Sequence, residues 1–144
     1  MHGASASGNR IKAAIELVAA AIVLSLGGWL YVMYRPATIV YNVYSRLVAA
    51  ARLQREHAPE LCGFVVWNLP GALWSTAYIL AVDAVARWTK QTGSRMVWAA
   101  VVPAIGAVSE LLQLAGWLPG VFDTADLLCY VMPYIIAVII WKLT

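Results

Sequence analysis

The chain has 144 residues, of which 62% are hydrophobic and 12% charged, with a mean hydropathy of +0.75. A soluble domain carries roughly 45–50% apolar and roughly 25% charged residues. The composition therefore argues against a soluble fold and for a single all-α membrane domain over residues 1–144. Ten basic against seven acidic residues give a net charge of +3. They are scattered between hydrophobic segments and form no patch, which speaks against a nucleic-acid partner and for topology signals and surface anchors.

Residues 1–10 are small and polar and read as a short tail. Residues 13–34 form an apolar run of about 22 residues, long enough to cross a hydrocarbon core of about 30 Å. The run exceeds a cleavable signal segment in length and lacks a small-x-small site after it, so a retained first span is expected. Gly27 and Gly28 would admit a close neighbouring helix. Glu16 follows Lys12 by one turn, the spacing of a local ion pair.

Arg35-Pro36 closes this helix. Over 38–56 the apolar residues recur at helical spacing, while Arg46, Arg52 and Arg55 occupy other faces. That pattern predicts an amphipathic helix lying at the membrane interface, its arginines serving as anchors or as phosphate ligands. His57 reads as a solvated side chain. Asn68-Leu69-Pro70-Gly71 then opens a second span over 69–88, with proline suited to the first turn. Asp83 lies within it, one turn before Arg87, and a pair with Arg87 or with Glu16 or Lys12 is expected. Residues 87–95 form a basic loop.

The third span covers 96–116, with Pro103 and Gly106 expected to bend it. The fourth covers 124–141. Between them lies the stretch expected to organise the molecule, residues 109–130, where Glu110, Gln113, Asp123 and Asp126 interrupt apolar sequence around a Leu-Pro-Gly turn. Polar groups of this kind in a lipid-soluble chain need a reason. Asp123 suits a helix N-cap, and Asp126 suits the N3 position near the positive helix end. Glu110 lies at a helix C-terminus, where a carboxylate is disfavoured. An arginine of the interfacial helix, a cation or a bound proton would satisfy it. Cys62 and Cys129 allow one disulfide, with no metal-site spacing.

With the N-terminus inside, the inner segments carry Arg10, Lys12, Arg87, Lys90, Arg95 and Lys142, against Arg35, Arg46, Arg52 and Arg55 outside. The positive-inside rule thus favours both termini in. The interfacial arginines, Asn68, Glu110, Gln113, Asp123 and Asp126 then converge at the outer face.

Glu110-Leu111-Leu112-Gln113, Leu118-Pro119-Gly120, Phe122-Asp123 and Asp126-Leu127-Leu128 resemble, in that order, the signature of the VanZ-like family of small bacterial membrane proteins. Asn68-Leu69-Pro70-Gly71 with Leu73-Trp74 is similar to the entry of that family's second helix, which adds Trp74 to the candidate site. The resemblance covers residues 61–140. It implies a multi-span protein of the bacterial inner membrane and an association with low-level glycopeptide resistance. The chain departs from it at Val121, Tyr130 and Pro133, where many relatives carry Arg, Asn and Gly.

No nucleophile triad, phosphate loop or metal motif is present, so neither a cofactor nor a metal is expected. Three functions compete. The first is recognition or modulation of a lipid-linked or anionic envelope ligand by the outward cluster, among membrane lipids. The second is an accessory role beside other membrane protein subunits. The third is an enzyme acting on a lipid headgroup, with Glu110 as acid or base.

Overall fold

The structure, a computed structural model, describes residues 2–34 and 59–143. Every regular element among them is helical. In chain order they are α1 (His2–Tyr34), α2 (Gly63–Trp67), α3 (Leu69–Thr89), a 3₁₀ turn (Thr92–Ser94), α4 (Arg95–Ala99), α5 (Val101–Leu114) and α6 (Thr124–Leu143). Four segments are long and apolar enough to cross a membrane: Gly8–Tyr31, Leu69–Thr89, Thr92–Leu114 and Thr124–Leu143. The interfacial helix expected over 38–56, with its arginines and His57, lies outside the described residues.

Packing centres on α3 rather than on the 109–130 stretch. α1 lies along α3, α6 packs on another side of it, and α5 packs chiefly on α6. The reason is the small-residue content of α3. Gly71, Ser75, Ala77, Ala84 and Ala86 are buried, and small side chains let helix backbones approach where lipid supplies no hydrophobic drive. The Ser75 hydroxyl, fully buried, donates to the Tyr130 carbonyl of α6 at 2.8 Å. That bond lies beside Pro133, which has no N–H to give the Cys129 carbonyl. Large apolar side chains such as Ile15, Val18, Ile22, Ile105 and Ile139 face outward, as they do where the solvent is lipid.

The helices depart from expectation in places, each with a physical cause. α1 begins at His2, because once the apolar segment is helical each added residue gains one hydrogen bond without a new nucleus. The third span is broken at Ala100, between α4 and α5. Pro103 cannot donate to the Ala99 carbonyl, so the proline interrupts the ladder there. Gly106 plays a different part: a Cβ on it would lie 2.4 Å from the Tyr130 ring. It is a notch for an aromatic side chain from α6. Likewise Gly27 makes room for Trp74, while Gly28 has nothing within 4 Å of its Cβ position. Cys62 and Cys129 are both free.

Candidate functional site

From Asn68 to Arg87, α3 rises about 29 Å at 1.5 Å per residue, close to the thickness of a hydrocarbon core. Polar side chains gather at both of its ends and leave the middle apolar.

At the Asn68 end, the hairpin between α5 and α6 brings four of the expected residues together. α5 ends in a Schellman motif. The Gly116 N–H bonds the Gln113 carbonyl and the Trp117 N–H bonds the Leu112 carbonyl, with Gly116 at φ 73°. The chain then turns back through Gly120, at φ 141°, whose bare backbone sits against the Gln113 side chain. Asp123 caps α6: its Oδ1 accepts from the Ala125 N–H at 2.8 Å, and its carbonyl accepts from the Leu127 N–H at 3.1 Å. The Ala125 N–H, and then the Asn68 amide, hold the Asp123 carboxyl below its ordinary value.

Asn68 is the joint between the two helix pairs. It is 4% exposed, and its Nδ2 donates to Asp123 Oδ2 at 3.0 Å and to Asp126 Oδ1 at 3.1 Å. It occupies the N-cap position of α3 yet makes no cap bond there. The side chain is spent on the carboxylates instead.

Glu110 is 5% exposed and accepts from the Asp123 backbone N–H at 3.2 Å. The expected partners were an arginine of the interfacial segment, a cation or a bound proton. The partner found among the described residues is a backbone group at the start of α6. The hairpin therefore moves Glu110 from an unfavourable helix C-terminus to the favourable N-terminal end of the next helix.

These residues border an open cavity of about 590 Å³. Glu110, Gln113, Asp123 and Asp126 line it, and aromatic walls come from Tyr31, Trp67, Phe122 and Tyr130. Tyr130 follows Asp126 by one helical turn, so its place on the same face was available in the sequence. Tyr31 and Trp67 were not expected: the packing of α1 on α3 brings Tyr31 here, and Trp67 ends α2 directly before Asn68. Trp74 does not line the cavity. It stacks on Tyr31 with ring centroids 4.6 Å apart and fixes that wall from behind. The Tyr34 hydroxyl donates to the Pro59 carbonyl at 2.8 Å, so the chain leaves and re-enters the described structure at this end.

At the other end, Asp83, 6% exposed, binds two arginines. Arg87 Nη2 reaches its Oδ2 at 2.9 Å and Arg95 Nη1 its Oδ1 at 3.1 Å. Arg87 Nε also meets Glu16 Oε1 of α1 at 3.0 Å. The Asp83–Arg87 pair follows its sequence spacing. Glu16, however, pairs across helices with Arg87 and not with Lys12. Arg95 folds back from the region expected to be a basic loop, and it lies over the Trp141 ring at 4.8 Å.

The fold and the site define a bundle of four membrane-length helices with a carboxylate-lined cavity at one end and an ion-pair network centred on buried Asp83 at the other. Comparison with protein-family models, with curated proteins and with solved structures finds no match.

Proposed function

We propose that the chain is a VanZ-like integral protein of the bacterial inner membrane, with both termini inside. In this reading its outward cavity binds the headgroup of a lipid-linked envelope component. One observation carries it: Glu110, Gln113, Asp123 and Asp126 line one cavity with aromatic walls, and buried Asn68, 58 residues from Asp126 in sequence, holds the two aspartates in place. Carboxylates accept hydrogen bonds from hydroxyl or ammonium groups, and aromatic faces pack against sugar or cationic surfaces. The described lining holds no lysine or arginine, so contacts to the ligand's phosphate fall to Arg46, Arg52 and Arg55. In sequence these arginines lie between Tyr34 and Pro59, which are joined by a hydrogen bond, and Tyr34 is one turn along α1 from Tyr31 of the cavity wall, which supports that role.

The test is native mass spectrometry of the full chain extracted from bacterial membranes in mild detergent. Each arginine-to-alanine change at 52 or 55 should reduce a co-purifying lipid-linked species about tenfold, the loss of one charge-assisted hydrogen bond. Asp126→Asn should reduce it while sparing bulk phospholipid. Identical adducts in wild type and variants, or none in any, would overturn the reading.

A further inference from the structure

The ion-pair network borders a second cavity of about 490 Å³, at the opposite end from the carboxylate site and independent of it. Three cations, Lys12, Arg87 and Arg95, line it with only two carboxylates, Glu16 and Asp83. One positive charge is left over. Lys12 carries it, being exposed and in no ion pair among the described residues.

The other walls are apolar. Ile79 and Leu80 of α3 form the floor, and Ala137 and Ile140 of α6 form one side. α1 and α6 both pack on α3 rather than on each other, so the cavity is a cleft between them. It has a basic rim at the level of the helix ends and a hydrocarbon-like groove running inward. Trp88, with Arg10 5.8 Å from its ring centroid, and Trp141, beneath Arg95, place two indoles at the same level, where tryptophan favours the membrane interface.

We infer that this cleft is a binding site for an anionic phospholipid of the leaflet on the N-terminal side. The phosphate sits against Lys12 and the free edges of the arginines, and one acyl chain lies along Ile79, Leu80, Ala137 and Ile140. Basic pockets between membrane helices hold anionic headgroups through this combination of charge and apolar wall. Asp83 and Glu16 hold the arginines in position. Lys12 supplies the charge that distinguishes an anionic from a zwitterionic lipid.

The experiment incubates the delipidated full chain with equal amounts of phosphatidylglycerol and phosphatidylcholine and reads bound lipid by native mass spectrometry. Phosphatidylglycerol should be retained about tenfold over phosphatidylcholine, and Lys12→Ala should remove about that preference. Lys142→Ala, an exposed charge at the same end but outside the cleft, should leave the preference unchanged. Tail-less glycerophosphate and inorganic phosphate should not displace the lipid. Equal retention of the two lipids, an unaltered Lys12→Ala variant, or displacement by either free anion would overturn the assignment. The last of these would reassign the site to a soluble phosphate.

Discussion

Asp83→Ala is expected to destabilise the protein by about 3–5 kcal/mol, the cost of removing one partner from a buried charged group. Asp83 neutralises Arg87 and Arg95 at once, and it is almost fully buried. Without it, Arg87 keeps Glu16, but Arg95 loses its carboxylate partner while only partly exposed to solvent. α4 then loses its charged tie to α3, and two neutral bonds are left to hold that corner, from the Tyr78 hydroxyl to the Trp98 carbonyl and from the Tyr134 hydroxyl to the Met96 carbonyl. Thermal unfolding in detergent checks this, with Glu60→Ala as an exposed acidic control. Asp83→Asn should fall between the two, because the amide keeps hydrogen bonding but not charge. An Asp83→Ala melting curve matching that of Glu60→Ala would mean that the network carries no stability.

Gly106→Leu is expected to cost about 3 kcal/mol, the upper range for forcing volume into a packed interior. Even a Cβ at Gly106 would meet the Tyr130 ring at 2.4 Å. The ring is also gripped from α3, where a Cβ on Gly71 would meet it at 3.1 Å. Tyr130 therefore has no direction in which to retreat, and its displacement would also open the wall of the carboxylate cavity. Gly28→Leu, on a face with nothing nearby, is the matched comparison and should stabilise slightly through helix propensity. Similar losses for both would show that α5 and α6 are not packed at the Gly106 notch.

The spans were legible because apolar length is a one-dimensional property. Residues 69–88 and 124–141 fall within one or two residues of Leu69–Thr89 and Thr124–Leu143. The cap at Asp123 was legible for the same reason, since it depends on residues two to four positions away. Partners across helices were less so. Glu16 has Lys12 at the right local spacing, yet Arg87 wins because α1 runs beside α3 and brings the Arg87 Nε to 3.0 Å from its Oε1. Glu110 found a backbone N–H that no side-chain inventory would reveal. Gly106 looked like a hinge, whereas the hinge is one turn earlier, at the carbonyl that Pro103 leaves unpaired. Trp74 was drawn into the site by its motif and proves to support it from behind, through Tyr31.

The central claim is that the carboxylate cavity and the ion-pair network lie on opposite sides of a membrane, with the cavity outside. Impermeant maleimide labelling of whole cells tests it, using single cysteines introduced by Pro119→Cys and Thr92→Cys in a chain lacking Cys62 and Cys129. Both positions are exposed, one at each end of the bundle. The account predicts labelling at 119 in intact cells, and at 92 only after permeabilisation. Labelling of 92 with protection of 119 would contradict the orientation, and equal labelling of both in intact cells would contradict the membrane-spanning arrangement itself.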